Sequence, residues 1–314
     1  MGLTKLYNKM EKCLKKMPIW INLLVVLALI FILISIYNSC HKVQEGFISD
    51  QKENFVVKKG IDLFDDFYVN IYDELFFRDI VNQYEVGSIM NITKPTTESK
   101  ILVIGSGTGH IADAFAKEGI NIIGLDESHS MVKYAKSEYP ALTFKQGSPL
   151  TTNIFNENSF THILCLNMNF YYYKDKKLFF QNVYDWLMPG GYLVLHLVNR
   201  DKFDPILNSA DPLHLVSAQK YAKKRITNSL VKFKDFQYKA NFDLDKSKNL
   251  AEFDETFKDD TSGHVRQNKH KLHMETQKHI LGIAKNLGFI LQGKVDMVTT
   301  QYQYQYLYLL YKPE

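Results

Sequence analysis

The chain has 314 residues, with 38 Lys and Arg against 34 Asp and Glu, a formal charge of +4. That length holds one large α/β domain with appendages, and a positive balance this mild, partly carried by N-terminal lysines, gives no basis for a nucleic-acid binder. Three cysteines, Cys13, Cys40 and Cys165, lie far apart and match neither a metal spacing nor a disulfide framework.

Residues 1–18 read as a basic leader, with Lys5, Lys9, Lys12, Lys15 and Lys16 against Glu11. An apolar run follows from Ile19 to Ile36, broken only by Asn22 and Ser35. With Tyr37 it approaches the roughly 20 residues that cross a bilayer, and Trp20 and Tyr37 stand where interfacial aromatics stand. A transmembrane helix over 19–37 is therefore expected, making the protein a single-pass membrane protein with an N-terminal anchor. A cleaved signal peptide fits poorly, because neither Ser35-Ile36-Tyr37 nor Asn38-Ser39-Cys40 is a small-x-small site. Residues 38–60, polar and mixed in charge, read as a tether.

From Ile61 to Asn91, apolar residues at Ile61, Phe64, Tyr68, Ile71 and Leu75 have helical spacing. Asp62, Asp65 and Asp66 enrich the first turns, as the helix dipole favours. After a loop with Pro95, Ile101 to Ile104 is the short apolar run of a buried parallel strand. Gly105-Ser106-Gly107-Thr108-Gly109 follows, then a helix through Lys117, then a second apolar run that ends in Asp126. Strand, glycine turn, helix, strand and acid make one βαβ unit with a nucleotide-binding layout. Glycines let the backbone approach a ligand without Cβ atoms in the way, and the acid is placed to accept hydrogen bonds from a ribose diol. The spacing is not the dinucleotide GxGxxG, which disfavours an NAD-dependent oxidoreductase, and no Walker lysine follows.

Further on, Ser128 caps a helix to about Glu138, and Leu142 to Gln146 is a third strand that turns at Gly147-Ser148-Pro149. Phe160 to Asn167 is the fourth strand, Asp175 to Leu187 a helix stopped by Pro189-Gly190-Gly191, and Tyr192 to Val198 the fifth strand. Ligands of open parallel sheets bind at the carboxyl ends of strands, so Gly105–Gly109, Asp126, Gly147-Ser148, Asn167–Tyr173 and Asn199 are expected on one rim. Residues 201–274 are less regular, and their alternation suggests an antiparallel insertion over that rim. Glu275 to Leu287 is a helix. Phe289 to Met297 and Gln301 to Tyr311 read as a closing hairpin, the latter from the alternation of Gln301-Tyr302-Gln303-Tyr304-Gln305-Tyr306.

The stretches ILVIGSGTGH and GLDESHSMVKYAK resemble motif I and the following acidic motif of class I S-adenosylmethionine (SAM) dependent methyltransferases. SFTHILCLNMNFYYY and LMPGGYLVLHLV continue the resemblance, which spans about Ile61 to Tyr311 and is most specific from Ile101 to Val198. Two positions depart from it. Many members have an acid where Val103 stands and an Asp where Ser148 stands. The resemblance implies a Rossmann-like, seven-stranded, mostly parallel sheet with a C-terminal antiparallel hairpin, in a domain over 61–314. It also implies SAM as cofactor, held by Gly105, Ser106, Gly107, Thr108, Gly109, Asp126, Glu127, Gly147, Ser148 and Asn167. In that family a helix at 61–91 covers the cofactor, with Tyr68 or Tyr72 against it, and the insertion shapes the acceptor pocket.

Methyl transfer from a sulfonium asks the protein to align the reactants and exclude water, so no catalytic dyad need stand out. Tyr171 and His196 are the candidate catalytic residues, with Tyr172 and Tyr173 as further candidates for contact with the acceptor. The histidines His264, His270, His273 and His279 lack ligand spacing, and no metal is expected. The expected activity is transfer of a methyl group to a small molecule, a lipid head group or a protein by a membrane-anchored enzyme. A catalytically inactive scaffold of the same fold is the alternative. The side of the membrane stays open, since the basic leader and the cytosolic origin of SAM point opposite ways.

Overall fold

The computed structural model describes residues 53–206, 219 and 222–314, together with 18, 20, 21, 24, 26–30 and 32. Two compact units divide the chain at Gly46/Phe47. In the first, most of the expected leader and span lies outside the described residues, and those described between 20 and 32 are helical. Among the described residues no helix is long and apolar enough to cross a membrane. This overturns the localisation expected above, a single-pass membrane protein held by a helix over 19–37.

The second unit contains two sheets. Its larger sheet is built on β2 (Lys100–Ile104), β3 (Asn121–Asp126), β4 (Thr143–Gln146), β5 (Phe160–Cys165) and β6 (Leu187–Val198). It is completed by β11 (Ile290–Asp296) and β12 (Gln305–Tyr311), in the order β11-β12-β6-β5-β2-β3-β4. The first five strands run parallel, and β12 lies antiparallel to both β6 and β11. The seven-stranded, mostly parallel Rossmann-like sheet with its closing hairpin is therefore present.

Sheet and helices form three layers because strand residues alternate in direction. Ile101 and Val103 of β2 join a core with Ile111 and Phe115 of α3 (His110–Lys117) and with Val81 and Ile89 of α2 (Asp79–Thr93). Leu102 and Ile104 join the opposite core with Phe179, Val183 and Trp186 of α5 (Lys176–Trp186) and Ile280 of α6 (Gln277–Asn286). Residues 101–104 of β2 are all buried, as a central strand covered on both faces requires. Ser128 caps α4 (His129–Glu138) by accepting from Met131 N at 3.1 Å.

The smaller sheet has the order β1-β10-β9-β8-β7. Its strands β7 (Asn228–Lys232), β8 (Phe236–Asp245), β9 (Leu250–Asp259) and β10 (Val265–His273) form the expected antiparallel insertion. Phe236, Tyr238, Ala240 and Phe242 of β8 are buried, while Lys239, Asn241 and Asp243 between them are exposed. A fifth strand comes from outside the insertion. Phe55–Lys59, within the stretch expected as tether, is β1 and pairs parallel with β10.

Two local expectations differ from the structure. The helix expected over 61–91 is a short 3-10 turn followed by α1 (Asp66–Phe76) and α2, with Phe77 and Arg78 extended between them. Asp65 caps α1 by accepting from Tyr68 N at 3.3 Å. Beyond the break, the Arg78 guanidinium donates to Thr300 O and to Gln301 Oε1, each at 3.2 Å. The break thus serves contacts more than 200 residues away, which local periodicity does not report. Likewise, residues 301–304 of the Gln-Tyr repeat form a turn with Gln301 and Tyr304 left-handed, and the strand begins at Gln305.

Candidate functional site

At the carboxyl end of β2 the chain turns through Gly105 (φ +67°) and Gly107 (φ +53°), a conformation that favours glycine. Gly105 N and Ser106 N both donate to Leu125 O, at 2.8 and 3.1 Å, which ties the turn to the tip of β3. Asp126 completes the tie. Its Oδ2 accepts from Gly107 N and its Oδ1 from Ser128 N, both at 2.9 Å. Burial pushes the Asp126 carboxyl up to about 6 despite the two backbone hydrogen bonds that lower it, and Glu127 adds to the rise. Each carboxylate oxygen keeps acceptor capacity, so the group can still receive ribose hydroxyls.

Helix α1 lies across the turn. Asp73 Oδ1 accepts from Thr108 Oγ1 at 2.6 Å, and Asp73 Oδ2 is 2.8 Å from His110 Nε2. The Phe77 ring stacks on His110 with centroids 3.8 Å apart. A Cβ on Gly107 would have Tyr72 Cε1, 3.9 Å away, as its nearest neighbour, so the face of the turn beneath α1 is open. From the other side, Asn169 Nδ2 donates to Gly105 O at 3.0 Å. Asn167 and Met168 before it are both left-handed, a sharp corner that aims this loop at the glycine turn.

Between these elements is a cavity of about 210 Å³. Gly105 to Thr108, Asn167 to Asn169, Tyr68 and Tyr72 of α1, and Phe253, His270 and Leu272 of the smaller sheet line it. Glu85, His196 and Gln305 line it as well. Glu85 and His196 are each 1% exposed, with Oε1 and Nδ1 3.9 Å apart. Burial pushes Glu85 up to about 8 and His196 down to about 4, so both are uncharged at neutral pH. The Tyr172 hydroxyl is 2.8 Å from His270 Nδ1, and His270 Nε2 is 2.7 Å from Glu255 Oε2.

Of the residues named from the sequence, Gly105, Ser106, Gly107, Thr108, Asn167 and His196 line the cavity. Gly109, Asp126, Glu127, Gly147 and Ser148 are off that lining. Gly147 N donates to Asp126 O at 2.8 Å, which sets this turn next to the acid. The Ser148 hydroxyl accepts from Leu150 N at 3.2 Å and closes a local turn. Tyr171 is a correction. It is fully buried, and its hydroxyl is held by the backbone of Val198, accepting from N at 3.0 Å and reaching O at 3.4 Å. Tyr172, one residue on, is the partly exposed tyrosine that reaches the cavity. Asp73, Glu85, His270 and Glu255 carry no local motif. Among the described residues no group of three or more His, Cys, Asp or Glu side chains is arranged to hold a metal.

Residues 101–191 match the family model described as a methyltransferase domain. The fold is that of a solved SAM-dependent methyltransferase from Clostridium acetobutylicum, with a TM-score of 0.59 at 15% identity, covering 79% of this chain and 98% of that one. The chain is a SAM-dependent methyltransferase. Among curated proteins this methyltransferase is similar to the carboxy-S-adenosyl-L-methionine synthase of Shewanella pealeana, 28% identical over 163 residues, or 48% of this chain and 67% of the relative. Its fold is also that of the sugar N-methyltransferase KedS8 from Streptoalloteichus, with a TM-score of 0.53 at 14% identity, covering 75% and 88% of the two chains. The open face of Gly107 under Tyr72 and the spare acceptor capacity of Asp126 fit SAM.

Proposed function

We propose that this methyltransferase acts on a small-molecule acceptor held between the loop 167–172 and the smaller sheet. The observation that carries the reading is the continuity of the cavity, which runs from the glycine turn to Phe253 and His270. Bound SAM supplies a methyl group on a positively charged sulfur. The backbone of Gly105 to Thr108 and the Asp126 carboxylate would hold it, with Gly147 and Ser148 beside the acid. Helix α1 and the aromatic rings of Phe64, Tyr68 and Tyr72 exclude water. Glu85 and His196, both uncharged, offer polar contacts without a fixed charge, which suits a neutral polar acceptor group better than an anion. The fold likeness to a sugar N-methyltransferase supports a small acceptor. The inactive-scaffold alternative is not favoured, because the cavity is not filled by side chains.

Photo-crosslinking of the full chain with methyl-labelled SAM tests this reading. Label is expected in peptides that contain residues 101–110 and 167–173. Label confined to other peptides, or none at saturating SAM, would contradict it.

A further inference from the structure

Glu255 of β9 and His270 of β10 are adjacent on the smaller sheet, 0% and 2% exposed. Glu255 Oε1 accepts from the Tyr238 hydroxyl at 2.8 Å, and Oε2 faces His270 Nε2 at 2.7 Å. A carboxylate has no proton to give, so Nε2 carries the ring hydrogen and Nδ1 keeps its lone pair. Nδ1 then accepts from the Tyr172 hydroxyl, 2.8 Å away. The phenolic oxygen retains acceptor capacity, and Tyr172 lines the cavity beside Asn169. The arrangement has the logic of a hydrolase triad: a hydroxyl at the reaction site, a histidine to take its proton, and a buried carboxylate that fixes the tautomer and stabilises the imidazolium.

We propose that Tyr172, His270 and Glu255 form a proton relay, and that the methyl acceptor is therefore an amine or hydroxyl with a proton to lose. The inference rests on reading the cavity as the site of methyl transfer. The X–H bond of the acceptor breaks, and its proton passes to Tyr172 Oη as Tyr172 passes its own to His270 Nδ1. The pair left on X forms the bond to the methyl carbon, and the pair of the broken carbon–sulfur bond stays with sulfur. The proton rests on His270 beside Glu255 until solvent removes it. Tyr172 is the catalytic residue of this relay, and Glu255 positions His270.

The surroundings favour a relay over a free phenolate. Burial, with Tyr72 and Glu255 nearby, pushes the Tyr172 hydroxyl well above its ordinary value, so it keeps its proton until another replaces it. The ionisable groups about His270 are Tyr68 of α1, Tyr172 of the loop, and Tyr238 and Glu255 of the sheet. The ring is packed by Phe64 and Phe253, which hold its plane toward Tyr172.

Phenylmethanesulfonyl fluoride on the full chain tests the relay without knowledge of the acceptor. It esterifies an activated hydroxyl, releasing fluoride and a proton. Mass spectrometry should find Tyr172 modified in the wild type, at least about tenfold faster than in His270→Gln or Glu255→Gln, as loss of a general base predicts. SAM affinity, measured by calorimetry on the same proteins, should change less than about twofold, since none of the three residues is assigned to the cofactor. An unmodified Tyr172 in the wild type, or equal rates in wild type and Glu255→Gln, overturns the relay. Glu255→Gln keeps the decision open to measurement should His270→Gln fail to fold. Loss of SAM binding in the wild type would defeat the site itself and not the relay alone.

Discussion

Asn169 rests on Gly105 so closely that a Cβ on Gly105 would stand 2.5 Å from Asn169 Cγ, while Asn169 Nδ2 donates to Gly105 O at 3.0 Å. The contact locks the loop after β5 to the turn after β2, the two neighbouring strands whose ends face the cavity. Gly105→Ala therefore meets both a clash and a left-handed φ. It should lower stability by about 1–3 kcal/mol in denaturant unfolding, as a strained residue does, and abolish detectable SAM binding by calorimetry. Wild-type affinity in this variant would show that the lock is dispensable.

Asp126 gives a pH dependence. Its carboxyl is pushed up to about 6, so the ionised form, which would accept ribose hydroxyls in the proposed site, is lost as pH falls through 6. SAM affinity should fall about tenfold per pH unit below that point, and stay level from pH 7 to 8. Asp126→Asn should bind weakly at every pH, because its amide nitrogen faces backbone N–H donors. A level profile in the wild type would remove Asp126 from the site.

Glu85 acts on stability with the opposite slope to an ordinary paired carboxylate. The native state holds its proton to about pH 8, whereas the unfolded chain releases it near 4.5. The native state therefore binds the extra proton between those values, and stability falls as pH rises through that window. His196, pushed down to about 4 from 6.5, opposes this only below 6.5. Between pH 6.5 and 8 the Glu85 slope stands alone. Glu85→Gln should become more stable relative to wild type by about 2 kcal/mol over that range, read from urea midpoints. A constant difference between the two proteins would contradict the buried neutral acid.

Tyr171 and Tyr172 should separate structure from chemistry. Tyr171→Phe leaves the buried Val198 N–H without its 3.0 Å partner, and should cost about 1–3 kcal/mol of stability. Its SAM affinity and methyl transfer should match the wild type. A Tyr171→Phe protein with normal stability and no transfer would reverse the assignment.

The parallel sheet was legible because Ile101–Ile104, Phe160–Cys165 and Tyr192–Val198 are apolar runs that a doubly covered strand requires. The glycine turn and Asp126 were legible because their chemistry is local. What the sequence hid is contact between distant segments. Asp73 meets Thr108 and His110 across more than 30 residues, and Tyr172 meets His270 across 98. Three consecutive tyrosines look alike in a sequence, and only the 3-10 turn Asn169–Tyr172 decides which one faces the cavity. The strand Phe55–Lys59 was hidden for the same reason, since its apolar and charged residues gain meaning only beside β10.

The most direct measurement is a crystal structure of the full chain with S-adenosylhomocysteine. The ribose should meet Asp126, with the sulfur directed past Asn169 toward Tyr172 and the smaller sheet. Density for the ligand elsewhere on the molecule, or a ribose that leaves Asp126 bound only to Gly107 and Ser128, would contradict this.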